Sequence, residues 1–470
     1  VIDRANVARS AAWRAVEMAG SEGISFLSFL VMARLLVPEE FGVVAIAGAI
    51  VQLAAVVLHR GLPDALIQAS NLDDEQVRSA LTLSLIGGCA LVLAIVAVAW
   101  PLGWLLERSH FPVILVALAP VLVLQAAMLP LHAILRRRFE FRAIAIRTLC
   151  ATSIGGVVAI VLAQREWGPW ALVAQQWVGT LIGTLLVFRF SPVRPWPLRF
   201  SRDAVESLVE VARPVLVGGF LMHSTRRFDA IALGLFVTDH EVGVYFLVAR
   251  LVFSVQLLTT HSIGDLGLVV LSRLQGEPAK VAAAVRRAFR LTAYACLLCF
   301  GGLMMAAPAL VPLLFGDEWR DAVLPLQAMA ALSAFGALAT VAIQVLVAIG
   351  AAGEAGGLSA RSSLLQVAAI FGGAALGLMP MVIALGAVQA VMLWPALARI
   401  GRRIRLDRGT VLRDLSPIVA AWLLALGAGW GVSGAHLSGV ALMVLPGLAF
   451  VAVMLSCGLM WRQTLFGRLG

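Results

Sequence analysis

Charge is scarce in this 470-residue sequence: Asp, Glu, Lys and Arg together make up 13% of it, roughly half the share usual in a soluble domain. Lysine is nearly absent, with Lys280 alone among 36 basic residues, and tyrosine occurs twice. Cys89, Cys150, Cys296, Cys299 and Cys457 are the only cysteines, and all fall in apolar runs. The Cys296/Cys299 pair has no histidine or second cysteine pair to complete a metal site, so no metal is expected and the five count as small buried hydrophobes. There is no GxxxxGK[ST] loop, which excludes nucleotide hydrolysis by that route, and no cofactor is expected.

What fills the sequence is apolar: 61% of the residues are hydrophobic and the mean hydropathy is +0.95, which defines a polytopic, all-α membrane protein. A spanning helix needs about 20 mostly apolar residues. Breaks at Pro, Gly and charge clusters give fourteen such runs, with cores at 12–33, 41–59, 79–99, 112–134, 144–163, 168–188, 208–236, 242–263, 291–313, 322–348, 360–377, 382–398, 414–432 and 436–458. The first run has no small-residue cleavage site after a short apolar region, so it is expected to be a retained helix and not a signal peptide.

The net charge of +10 has a topological explanation. With the N-terminus placed in the cytoplasm, 27 of the 36 basic residues fall in inward segments, including Arg136, Arg137, Arg138, Arg142 and Arg147, and only Arg34, Arg108, Arg165 and Arg320 face outward. That asymmetry is the positive-inside pattern and puts both termini on the cytoplasmic side of the membrane. No basic, aromatic-interleaved face is present to bind nucleic acid. Outward loops are short (VPEEFG, ERSHF, REWG, TDHE, GDEWRD), too short for a catalytic domain. Two inward segments, Asp73–Ala80 and Glu277–Arg290, are amphipathic and are expected to lie flat at the interface.

The two halves correspond at an offset of 201. GVVAIAGAIVQLAAVVLHRGLPD (42–64) aligns with GVYFLVARLVFSVQLLTTHSIGD (243–265), matching Gly42 to Gly243, Val43 to Val244, Val51 to Val252 and Asp64 to Asp265. Internal repeats of this kind are common in transporters. They divide the chain into an N-lobe, 1–200, of six helices, a C-lobe, 201–400, of six more, and two appended helices in 401–470.

The blocks ARLLVPEEFGVVAIA, LRRRFEFRAIAIRTL, WGPWALVAQQWVGTLIG, STRRFDAIALGLF and FGDEWRDAVLPLQAMAAL, in that order over about residues 9–400, resemble the exopolysaccharide-exporting branch of the Wzx-type flippases. That branch belongs to the superfamily of multidrug, oligosaccharidyl-lipid and polysaccharide exporters. The resemblance implies fourteen helices in two lobes, V-shaped around a central cavity. It also implies a transporter that moves undecaprenyl-diphosphate-linked oligosaccharide across the bilayer for exopolysaccharide or lipopolysaccharide assembly, with a polysaccharide polymerase and a chain-length regulator as candidate partners.

Five arginines, Arg14, Arg213, Arg226, Arg227 and Arg250, lie within the spans. An arginine at mid-helix costs about 2.5–3.5 kcal/mol on insertion scales, so these are expected to face a polar interior. Helical spacing agrees: Arg213, Ser224 and Arg227 share one face of the seventh span, and Arg250, Ser254, His261 and Asp265 share one face of the eighth. On the first, Arg14, Ser21, Ser25 and Ser28 form a stripe flanked by Glu17 and Glu22. The arginines are candidates to bind the diphosphate, for which the planar guanidinium fork is suited. Glu17, Glu22, Asp229, His261 and Asp265 are candidates for ion coupling or gating. A structural reading stays open beside this one, since Asp229 lies three residues after Arg226 and can neutralise it, and Arg14, Arg213 and Asp265 can snorkel to the inner boundary. The rival functions are a multidrug antiporter, which would be expected to use a more acidic cavity, a lipid II flippase, and a membrane polymerase or glycosyltransferase, which would need a larger outer loop.

Overall fold

The computed structural model describes residues 4–59, 61–69, 72–193, 196–198, 200–202, 205–206, 208–210, 212, 227–257, 259, 278–404, 408–433 and 440–460. Fifteen α-helices with defined bounds, a further helical stretch at 227–236 and no strand occur among them, as lipid requires of a chain that must satisfy its backbone hydrogen bonds within each segment. They are α1 (Arg4–Leu35), α2 (Pro38–His59), α3 (Leu62–Gln68), α4 (Asp74–Leu105), α5 (Phe111–Leu118), α6 (Val121–Arg137), α7 (Phe141–Ala163), α8 (Pro169–Phe190) and α9 (Asp239–Gln256). There follow α10 (Pro278–Phe315), α11 (Val323–Ala348), α12 (Ala352–Ala374), α13 (Leu378–Ile404), α14 (Arg408–Ser433) and α15 (Val440–Met460). Ten described stretches are long and apolar enough to cross a membrane, and the chain is a multi-pass membrane protein. Large apolar side chains on the spanning stretches, such as Leu93 (70% exposed) and Val391 (62%), are accessible, as suits helices whose surroundings are lipid.

Several expectations change in detail. Asp73–Ala80 does not form a separate interfacial helix. Asp73 and Gln76 make a capping box that starts α4 at Asp74, and the helix continues unbroken to Leu105, about 48 Å at 1.5 Å per residue. Val77 and Ala80 are drawn into a buried cluster with Leu66, Leu131, Leu135 and Ile144, so this turn packs inward. Likewise 278–290 is the first part of α10, which runs on to Phe315, with Val281, Val285 and Phe289 in a core against α11 and α13. The fourth apolar run is divided at Ala119 and Pro120 into α5 and α6, because Pro120 brings no N–H to the helical ladder. The runs at 360–377 and 382–398 are two helices, separated at Gly377 by a φ of +114° that glycine tolerates. Of the cysteines, Cys296 is buried while Cys89 and Cys299 are exposed.

Contacts divide the chain into two compact units, Val1–Gly243 and Val244–Gly470. In the first, α1 packs along α7, α7 along α8, and α4 and α8 along α6. Small residues let these backbones approach: a Cβ on Gly155 would stand 3.0 Å from Gln175 O and 3.3 Å from Gly179 Cα. Arg137, at the end of α6, donates to Leu66 O (2.9 Å), Ile67 O (3.3 Å) and Ala69 O, capping the last carbonyls of α3. In the second unit, α14 and α15 pack against α10, and Tyr294 donates to Met454 O at 2.8 Å. Arg286 grips Asp414 through two hydrogen bonds of 2.6 and 2.8 Å. Arg403 donates to Glu354 at 2.7 Å, holding that half-exposed carboxyl below its ordinary range.

A seam in the first unit relates positions 201 residues apart. A Cβ on Gly42 would overlap Asp239 O, and one on Gly243 would overlap Pro38 O. Pro38 and Asp239, each the first residue of its helix, correspond at that offset, as do Gly42 and Gly243. Between them the corresponding residues Glu39 and His240 meet, Oε1 to Nδ1 at 2.8 Å. This reciprocity is the mark of a local two-fold relation. Arg108, from the turn after α4, completes the seam with Nε 2.9 Å from Asp239 Oδ1 and Nη2 donating to Val237 O at 2.6 Å. Burial pushes the Asp239 carboxyl above its ordinary range, with Arg108 opposing and Glu39 adding to the rise. The same burial pulls the Arg108 guanidinium down, and Asp239 offsets part of that.

Candidate functional site

Glu17 is the most buried acid of α1, 8% exposed. Its Oε2 accepts from Arg14 Nη1 at 2.6 Å and its Oε1 from Thr148 Oγ1 of α7 at 3.1 Å. The Thr148 hydroxyl also lies 2.9 Å from Ile144 O. This pairing follows from the local packing of the two helices. Glu17 and Ser28 stand three helical turns apart on α1 and so share a face. Ser28 is buried against Gly156 of α7, where a Cβ would overlap its Oγ. The α1 stripe therefore divides. Glu17 and Ser28 face α7, whereas Arg14 keeps 53% of its side chain accessible.

Two neighbours that the sequence did not single out for function complete the site. Arg147, assigned above to the inward positive group, lies instead in the second turn of α7. Its half-buried side chain rests on Gly183 of α8, where a Cβ would stand 3.2 Å from Nε. That Nε is buried and has no hydrogen-bond partner among the described residues, and the same holds for His132 Nε2 on α6. Glu17 is the carboxylate in electrostatic reach of Arg147. The charges bearing on His132 come from Arg147, Arg136, Arg14 and His59, all basic. The signal that could have found them is the position of Arg147 and Thr148 inside FRAIAIRTLCATS and of His132 inside LQAAMLPLHAIL, each a polar residue within an apolar run.

The remaining candidates are not gathered with this cluster. Glu22 is half-buried on α1, and Ser21 turns back to donate to Met18 O at 3.3 Å. Arg227 is exposed at the start of the described helical residues 227–236, and Asp229 Oδ1 accepts from Ala230 N at 2.7 Å. Arg250, in the second unit, is half-buried on α9, with Ser254 Oγ bonded to its carbonyl at 2.9 Å. Arg213, Arg226, His261 and Asp265 lie outside the described residues. No group of three or more His, Cys, Asp or Glu that could hold a metal ion occurs among the described residues.

A helical architecture with ten apolar stretches and basic groups held among them defines a multi-pass membrane protein, and comparison with known proteins makes the assignment specific. Residues 31–324 match the family model described as "Polysaccharide biosynthesis protein", more than half of the sequence, and the chain belongs to that family. It is similar to the succinoglycan biosynthesis transport protein ExoT of Rhizobium meliloti (strain 1021), 25% identical over 325 residues. That stretch covers 68% of this chain and 65% of the relative, so the match spans just under two thirds of the relative's length. Among solved structures, the lipid II flippase MurJ in its inward closed conformation superposes with a TM-score of 0.76 at 13% identity, covering 96% of this chain and 99% of that one. An inward-facing multidrug resistance MATE family transporter of the MOP superfamily gives 0.65 at 15% identity, covering 83% and 98%. At these identities the two structures show a shared fold.

Proposed function

We propose that the protein is a flippase that moves undecaprenyl-diphosphate-linked oligosaccharide from the inner to the outer leaflet of the cytoplasmic membrane. The observation that carries this reading is the basic cluster around Glu17 inside the transporter fold of a polysaccharide biosynthesis family: guanidinium groups among spanning helices suit a passing diphosphate. In this reading residues 1–200 and 201–400 are two lobes that rock about the substrate, and 401–470 adds two helices. Both termini are cytoplasmic. The sugar crosses in an aqueous cleft while the polyprenyl tail stays in lipid, and no covalent bond opens. An inside-negative membrane favours outward movement of the anion by about 2.3 kcal/mol per elementary charge per 100 mV. A polymerase and a chain-length regulator on the outer side would consume the product.

The test is depletion. Lipid-linked oligosaccharide should accumulate in the inner leaflet when the protein is removed, and Arg14→Ala or Arg147→Ala should each block export while the protein remains in the membrane. Oligosaccharide that reaches the outer leaflet at the normal rate without the protein would refute the reading. Accumulation of lipid II in its place would favour the peptidoglycan precursor as cargo.

A further inference from the structure

We propose that the cleft between the end of α10 and the start of α11 is a binding site for a phospholipid with a zwitterionic, amine-bearing headgroup of the phosphoethanolamine class. The cleft gives a task to FGDEWRDAVLPLQ, a block to which the transport reading assigns no chemistry. It does not depend on which cargo the protein carries.

Place and shape are the first observation. A cavity of about 550 Å³ is lined by Pro308, Pro312 and Leu313 of α10, by Asp317 and Arg320 of the short 3-10 helix Asp317–Ala322, and by Val323 of α11. The two helices belong to consecutive membrane-crossing stretches, Lys280–Phe315 and Asp317–Ala348, so the cleft sits at their shared end, where hydrocarbon gives way to headgroups. Leu313 and Leu324 beside it are 64% and 61% exposed, an aliphatic surface along which an acyl chain can lie. Among the described residues no aromatic ring lines the cleft, so a sugar finds nothing to stack on.

The rim is fixed in advance. Gly316 takes a φ of +99° and donates to Pro312 O at 3.0 Å, and Trp319 N donates to Gly316 O at 3.3 Å. The Trp319 side chain is buried and anchors the turn. Asp317 and Arg320 stay open, paired Nε to Oδ1 at 2.9 Å. A rim already ordered costs a ligand little to engage.

Hydrogen bonding is the third observation. Each proline inside α10 removes the N–H that would serve the carbonyl four residues before it. Gln327 Nε2 of α11 makes good the loss at Met304 O, at 3.2 Å. The carbonyl of Pro308, an exposed residue of the cleft, loses its helical donor to Pro312. That oxygen and the Asp317 carboxylate are acceptors for an ammonium, while Arg320, which spends Nε on Asp317, has its Nη fork for the phosphate.

Charge sets the selectivity. Asp317, Glu318 and Asp321 outnumber Arg320 in this turn, so a headgroup with negative charge alone is repelled. A quaternary ammonium is attracted but has no N–H to give to Pro308 O or Asp317.

The experiment titrates the full chain in detergent with dioctanoyl phosphatidylethanolamine, reads affinity by native mass spectrometry, and repeats the titration with the phosphatidylcholine and phosphatidylglycerol of the same chains. Phosphatidylethanolamine should bind about tenfold tighter than either, the scale of one charge-assisted hydrogen bond. Arg320→Gln and Asp317→Asn should each weaken it about tenfold, and Val323→Trp, which fills the cleft and keeps the pair, should abolish the preference. Should Val323→Trp fail to fold, the two changes at the open rim decide alone. Equal affinity for the three headgroups, tighter binding of phosphatidylglycerol, or rim variants that bind as wild type would overturn the proposal. So would displacement of the lipid by a soluble oligosaccharide, which would assign the cleft to sugar. The transport reading stands or falls by its own depletion test.

Discussion

The seam at the start of α2 and α9 and the cluster on α1, α6 and α7 are both built from charged side chains, yet they are balanced differently. In the seam each base meets an acid, Arg108 with Asp239 and His240 with Glu39, and the backbones close against each other at two glycines. In the cluster, bases outnumber the acid; buried polar atoms without a hydrogen-bond partner among the described residues occur in both regions, Arg108 Nη1 and Asp239 Oδ1 in the seam and Arg147 Nε and His132 Nε2 in the cluster, so the balance of charge is what distinguishes them. Matched charges with tight backbone packing belong to structure. Mismatched charges carry a cost that a protein retains where it serves function.

Changes to the two regions should separate them. The largest effect is expected from Glu17→Ala, which strips the cluster of its carboxylate and should cost about 3–5 kcal/mol, the range for breaking a buried pair, toward the low end because Arg14 is half exposed. Unfolding of the purified protein in detergent measures it, and a loss no greater than that of an exposed pair would erase the distinction between the regions. Next come Gly42→Ala and Gly243→Ala. Each new Cβ would overlap a backbone carbonyl, and overpacking of this kind costs about 1–3 kcal/mol. Because both changes part the same seam, the double variant should lose clearly less than the sum of the singles; strict additivity would show that the two contacts are independent.

Asp239 gives a smaller, pH-dependent effect. Burial raises its folded-state carboxyl above the ordinary value of 3.8, so the folded protein keeps a proton that the unfolded chain has released. The contribution is fully present below the ordinary value and declines as pH rises through the folded one. Melting temperatures across about pH 4–6 should fall less steeply in Asp239→Asn than in wild type, and parallel curves would remove Asp239 as the cause. The smallest change is expected for Glu39→Gln. Its partner pair is 54% and 31% exposed on the side chains, and such pairs are worth about 0–1 kcal/mol and fade with salt. A larger, salt-insensitive loss would show the pair to be desolvated.

Much of the fold was legible because lipid imposes a simple rule, about 20 apolar residues per crossing. The limits of α7, α8 and α11 follow it closely, and the turns at VPEE, TDHE and GDEW fall where acidic residues interrupt the apolar runs. Hydropathy failed where a helix continues past its apolar part. The charged starts of α4 and α10 extend spanning helices because capping at Asp73 and packing of Val77, Val281 and Val285 favour continuation over lying flat. The site was half legible. Arg14 and Glu17 stand out as charges in an apolar run, but Arg147, near the start of the fifth run, reads as the last member of the inward positive group that begins at Arg136, because it lies only six residues into α7.

By itself the sequence determined that the chain is built from apolar helices long enough to cross a membrane, that positions 201 apart correspond, and that a few arginines must escape lipid. Those are local or periodic properties, set by side-chain transfer energies and helical pitch. Only tertiary structure decided which charges meet. Helical pitch fixes the direction of Glu17 about its own axis but not the neighbour it faces. The approach of α7 over Ser28 and Gly156 brings Thr148 to Glu17 across 131 residues of chain.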